Sequence, residues 1–146
     1  MDFQTSDGVR LNYRIQGQGQ PVVLIHGFGG YQQIWCLQVP ELLANGYQVV
    51  SYDQRNHGAS GHTAGLASVD RLIDDLHELL VGLNIERPFL IGHSMGAAEI
   101  YGFLQHYPDF PVRGAIAIDQ SPKMLNTAKW PYGYMDITRA SYRVKL

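Results

Sequence analysis

From Val9 to Ile15 the chain alternates apolar residues (Val9, Leu11, Tyr13, Ile15) with polar ones, the period of two that marks a half-buried strand. Asp7-Gly8 ahead of it predicts a hairpin turn to a short strand around Phe3. Gly17, Gly19 and Pro21 then punctuate the chain. Pro21 to Ile25 is an unbroken apolar run, as a strand buried on both faces requires. Tyr47–Tyr52, Pro88–Ile91 and Val112–Ile118 carry the same pattern.

Helical periods separate these runs. Pro40 to Ala44 ends at Asn45-Gly46, a helix stop. Val69, Leu72, Ile73, Leu76, Leu79, Leu80 and Leu83 form one apolar stripe, with Ser68 placed to cap it. The charged residues among them (Asp70, Arg71, Asp74, Asp75, Glu78) read as the solvated face. Met95 to His106 predicts a third helix, stopped by Pro108. Strands alternating with helices imply an α/β fold: a mostly parallel sheet with helices on both faces, and a small antiparallel hairpin at the front.

Composition narrows this picture. The 146 residues, 45% hydrophobic, suffice for one core and not for two ordinary domains. A net charge of −2 gives no electrostatic footprint for nucleic acid or for an anionic membrane. Cys36 is the lone cysteine, so an internal disulfide or a cysteine-built zinc site is excluded. The N-terminus lacks a basic segment followed by an apolar run, and no stretch approaches the roughly 18 apolar residues that span a bilayer. The expectation is a soluble, cytoplasmic protein.

Three segments carry chemistry. Gly92-His93-Ser94-Met95-Gly96 fits G-x-S-x-G, with an apolar strand entering and a helix leaving, the context in which the central serine becomes a nucleophile on a strained turn. The pentapeptide alone is a weak signal; its strand–turn–helix setting makes it a strong one. His26-Gly27-Phe28-Gly29-Gly30 follows the Pro21–Ile25 strand and could line an oxyanion site, or be an ordinary glycine-rich turn. Its spacing is not that of a dinucleotide fingerprint. Asp53-Gln54-Arg55-Asn56-His57-Gly58-Ala59-Ser60 ends the next strand. His57 or Asp53 could be recruited to a triad, but the structural reading is favoured: an Asp–Arg pair and a tight Asn/Gly turn pinning this loop beside the first.

In that order, these three motifs resemble the N-terminal portion of the α/β-hydrolase superfamily, in the branch of esterases and cofactor-free haloperoxidases. The resemblance implies Ser94 as nucleophile, with the backbone N–H groups of Phe28 and Met95 as oxyanion donors. It implies no metal or organic cofactor. It places a core over residues 1–128 and the start of a lid, or an irregular tail, over 129–146.

The rest of a triad is harder to place. The order in this fold is serine, acid, histidine. After Ser94 the sequence holds one histidine, His106, about 18 Å along the next helix. Asp119, ending the Val112–Ile118 strand, is a candidate acid or a shaper of the site floor; Asp109 and Asp136 are weaker candidates. The chain is expected to stop after its sixth strand, short of the roughly 250 residues of such domains, as a truncation, a frameshifted end or a fragment. An unpaired sheet edge and an uncovered apolar face would follow, and with them self-association or marginal stability.

The function expected is a serine hydrolase acting on a small ester or related acyl substrate through an acyl-enzyme, impaired here by the absent base. Alternatives are a haloperoxidase or perhydrolase using the same serine, and a non-catalytic hydrolase-like protein. Dehalogenase and epoxide hydrolase chemistry is disfavoured, because it sets an aspartate where Ser94 stands.

Overall fold

The structure is a computed structural model that describes residues 1–65, 68–135 and 138. Six strands form one sheet: β1 (Asp2–Gln4), β2 (Arg10–Gln16), β3 (Gln20–Ile25), β4 (Tyr47–Tyr52), β5 (Phe89–His93) and β6 (Gly114–Ile118). Their spatial order is β1-β2-β4-β3-β5-β6. The first two strands pair antiparallel, with Phe3 opposite Leu11, and β2 also runs antiparallel to β4. From β4 through β6 every pairing is parallel. The front hairpin and parallel body follow from the period-two segment and the four apolar runs.

Three helices connect the parallel strands: α1 (Gln38–Ala44), α2 (Asp70–Gly82) and α3 (Met95–His106). Helix α1 ends at Asn45, and Gly46 (φ 77°) takes the left-handed turn that glycine adopts without steric cost. The stripe on α2 is realised, with Leu72, Ile73, Leu76, Leu79 and Leu80 buried. Its start lies one residue later than Ser68 implied. The first helical residue is Asp70, whose N–H donates to Ser68 Oγ at 3.3 Å while that hydroxyl donates to Asp70 Oδ2.

The two sheet faces are unequally covered. On one, Val23, Ile25, Val50, Tyr52 and Leu90 pack against α2 and α3 to form the main core with Ile100 and Phe103. On the other, Val22, Leu24 and Val49 meet Trp35 and α1. That second face runs on through Phe89, Ile91, Ile116 and Ile118, where cover is thin: Ile116 is 54% exposed and Ile118 40%. Among the described residues the apolar run ending at Ile118 is the last strand of the sheet, paired on one side with β5.

The charged side of α2 also departs from expectation. Asp75 is buried, not solvated, because Arg55 reaches it from the loop after β4. Among the described residues no helix is long and apolar enough to cross a membrane.

Candidate active site

Ser94 sits between the end of β5 and the start of α3, at φ 50° and ψ −114°. A left-handed φ is costly for a residue with a Cβ, by roughly 1–3 kcal/mol, and persists only where the surroundings over-determine it. Here they do. Its N–H donates to the Ile118 carbonyl at 2.8 Å, and its own carbonyl accepts from Ala97 N–H at 2.9 Å and Ala98 N–H at 3.1 Å.

The flanking glycines are needed for close approach. A Cβ on Gly92 would run into the Gly96 carbonyl, and one on Gly96 into the carbonyls of Ile25 and His26. Gly27 has the same role toward the serine, since a Cβ there would lie 2.9 Å from His93 Nδ1 and 3.1 Å from Ser94 Cβ. The loop after β3 is thereby laid directly against Ser94.

That loop is fastened to the next by His26. Its Nε2 accepts the Gln54 N–H at 2.9 Å, so Nδ1 carries the proton and donates to Gly27 O at 2.8 Å. Gln54 returns a bond from Nε2 to His26 O. Burial lowers the pKa of His26 and keeps the ring neutral. Asp53 closes the other side, accepting from the N–H of Gln32 at 2.7 Å and of Ala59 at 2.8 Å.

The ion pair expected in this loop exists with different partners. Asp53 is occupied by backbone N–H groups, whereas Arg55 bridges Asp75 (2.5 and 2.7 Å) and Asp7 (2.9 Å). Arg71 joins the same carboxylates and Glu78. The Asp75 and Asp7 carboxylates hold Arg55 firmly charged, and burial pushes the Asp75 carboxyl up against their pull. Asn56 (φ 65°) makes the expected left-handed turn.

A cleft of about 540 Å³ opens beside Ser94. Asp119 and Gln120 give it polar lining, and Met124, Tyr134 and Met135 apolar lining. Asp119 takes φ 55°, is 84% exposed, and stands 3.9 Å from His93 Nε2. Phe28 is exposed beyond the first loop, edge-on to His57 at 5.7 Å. Among the described residues, no protein acceptor meets the N–H of Phe28 or of Met95, the first residue of α3.

Two other histidines are engaged elsewhere. His57 Nδ1 lies 3.0 Å from Arg55 O, and His77 stacks on Tyr107 at 3.9 Å. His106 ends α3, at the opposite end from Ser94, and Asp109 lies just beyond it. Asp136 lies outside the described residues. Among those residues, the Ser94 hydroxyl has no hydrogen-bond partner, and no cluster of His, Cys, Asp and Glu is arranged to hold a metal. Sequence reasoning missed Gln54, Asp75 and Glu99, whose partners are distant in the chain.

Comparison with known proteins gives the family. The sequence family described as the alpha/beta hydrolase fold matches residues 20–141. A putative non-heme chloroperoxidase from Synechocystis is 36% identical over 122 residues, 84% of this chain and 44% of its own length. An esterase from Exiguobacterium antarcticum superposes with a TM-score of 0.85 at 26% identity, covering 98% of this chain and 53% of that one. A bromoperoxidase from Bacillus anthracis superposes at 0.82 with 30% identity, covering 94% and 49%. This chain belongs to the α/β-hydrolase fold family, and it spans about half the length of the relatives it matches.

Proposed function

We propose that this chain carries the nucleophilic half of a serine hydrolase acting on a small ester or related acyl substrate. The supporting observation is Ser94 itself: a strained residue at the head of a helix, its hydroxyl unpartnered, facing a cleft. In this reading Ser94 Oγ attacks the acyl carbon, the alcohol leaves, and water hydrolyses the acyl-enzyme. The free N–H groups of Phe28 and Met95 receive the developing oxyanion. Asp119, at the cleft, is the candidate acid or floor residue.

Among the described residues no histidine is bonded to the Ser94 hydroxyl as its base. His26 is locked neutral in a structural role, and the other five histidines stand apart from the serine hydroxyl or make no bond to it. Activity of these residues alone is therefore low, resting on the oxyanion site and binding. Labelling with a fluorophosphonate probe tests the assignment. Slow labelling of the wild type that disappears in Ser94→Ala supports it; equal labelling of both refutes it.

A second reading is perhydrolase or haloperoxidase chemistry, in which peroxide attacks the same acyl-enzyme. The chloroperoxidase and bromoperoxidase relatives favour it. Peracid formation from acetate and hydrogen peroxide, lost in Ser94→Ala, separates it from plain ester hydrolysis. The unpaired thiol of Cys36 supports a reducing compartment such as the cytoplasm.

A further inference from the structure

Gln54 lies two residues beyond the end of β4 and is enclosed, at 1% exposure. Its side chain bonds from Nε2 to the His26 carbonyl, while its Oε1 has no partner among the described residues. A buried amide with its acceptor unmet is a poor choice for stability alone. An apolar side chain of the same length would leave nothing there unsatisfied. The use of the residue lies in what Nε2 holds.

What it holds is the entry to the loop after β3. A peptide unit is planar, so the carbonyl of one residue fixes the direction of the next residue's N–H. The His26 carbonyl, bonded by Gln54 Nε2, orients the His26–Gly27 unit. The Gly27 carbonyl accepts from His26 Nδ1 at 2.8 Å and from the Gly30 N–H at 3.0 Å, and so orients the Gly27–Phe28 unit. The Phe28 N–H belongs to that second unit, trans to the Gly27 carbonyl. The His26 ring that makes the bond is itself held by the Gln54 N–H. Gln54 therefore grips His26 twice, by its backbone on the ring and by its side chain on the carbonyl.

The first unit also has to pack closely. The His26 carbonyl lies where a Cβ on Gly96 would meet it, and Gly27 lies directly against Ser94. Any turn of this unit is passed to Phe28 at one end and to the elbow at the other.

We infer that Gln54 is a positioning residue for the oxyanion site, its side-chain amide holding His26 so that the Phe28 N–H is aimed at the Ser94 cleft. This rests on the reading of Ser94 as nucleophile and of the Phe28 N–H as an oxyanion donor. Gln54 acts through His26 and not on the acyl group.

Saturation labelling of the full chain with a fluorophosphonate tests this. Ser94 Oγ bonds phosphorus, fluoride leaves with the hydroxyl proton, and the phosphonyl oxygen takes the oxyanion site. Gln54→Met keeps the side-chain length and removes the donor together with the unpartnered Oε1. It is expected to melt close to wild type. Its labelling rate at saturation should fall about tenfold, with the half-saturating probe concentration changed by less than about twofold.

Gln54→Glu gives a second, independent readout. As a carboxylate it cannot donate to the His26 carbonyl; as a carboxylic acid its O–H can. Its rate, taken relative to wild type at the same pH, should be about tenfold low near pH 8 and recover as the pH falls toward about 5.5. The titratable and charged neighbours are common to both proteins: His26, His57 with its ring 5.1 Å from that of His26, Asp53 and Arg55. The ratio therefore isolates position 54. Circular dichroism confirms folding at each pH.

An unchanged rate in Gln54→Met, a change confined to half-saturation, or no recovery of Gln54→Glu in acid overturns the inference and leaves the serine assignment standing. Should Gln54→Met not fold, the rates of Gln54→Glu at the two pH values decide alone. Equal labelling of Ser94→Ala and wild type removes the serine assignment, and this inference with it.

Discussion

The Gln54 N–H donates to His26 Nε2 across 2.9 Å, and through that bond the loop after β3 and the loop after β4 hold each other in place around Ser94. A histidine beside a candidate nucleophile invites a catalytic role. Here the ring is buried and has both nitrogens committed to backbone atoms. Replacing His26 by Ala orphans the buried Gln54 N–H, and we expect a loss of about 2–4 kcal/mol in urea unfolding, from the unsatisfied donor and the cavity together.

The same histidine sets a pH response. Its pKa is lowered in the folded state, so the unfolded chain binds more protons as pH falls below the ordinary histidine value of 6.5. Stability from His26 is present above that value and drains away on acidification. Thermal melts between pH 7.5 and 5 should show a decline that is reduced in His26→Asn.

Glu99 titrates in the opposite sense. It is fully buried on α3, accepts the Tyr52 hydroxyl at 2.7 Å, and its Oε2 has no partner among the described residues. Burial raises its pKa well above the ordinary 4.5, so the folded state retains a proton the unfolded chain has lost. Stability therefore falls as pH rises from that value toward the raised one. Glu99→Gln, neutral at every pH, should melt higher than wild type at pH 8 and nearly the same at pH 4.5.

Removing one side of the Arg55–Asp75 pair leaves the other charge buried. Asp75→Ala should cost about 3–5 kcal/mol in chemical denaturation. Arg55→Met combined with Asp75→Leu should recover much of that loss, although Asp7 and Arg71 are then left to each other. A double variant as unstable as Asp75→Ala would show that the wider network, not the pair, carries the stability.

Ser94 carries strain that glycine would not. We expect Ser94→Gly to raise the unfolding free energy by about 1 kcal/mol, the relief of a left-handed φ less glycine's added chain entropy. Probe labelling should vanish in the same variant. A lower melting temperature than wild type would show that the hydroxyl, not the backbone, is what the turn depends on.

Much of this structure could be read from periodicity, because its elements are held by local pattern. The α2 stripe and the unbroken run from Pro21 to Ile25 each state where they will lie. Ser94 was legible for the same reason, since its strand, turn and helix are contiguous in the chain. Asp75 and Glu99 were not. Each looks like one more polar helix position, and each is explained only by a partner 20 or 47 residues away. Strand β6 shows another limit: an apolar run reports that a strand is fit for burial, not which residues bury it.

The two borders of the sheet differ. At one, β1 is three residues long and its junction with β2 carries the Arg10–Asp2 ion pair. At the other, β6 is apolar, with Ala115, Ile116, Ala117 and Ile118 exposed among the described residues. Shortness and charge are what keep an edge strand from templating a further one. The N-terminal hairpin is therefore a terminator: on its side of the sheet it leaves little ladder for any other chain to extend.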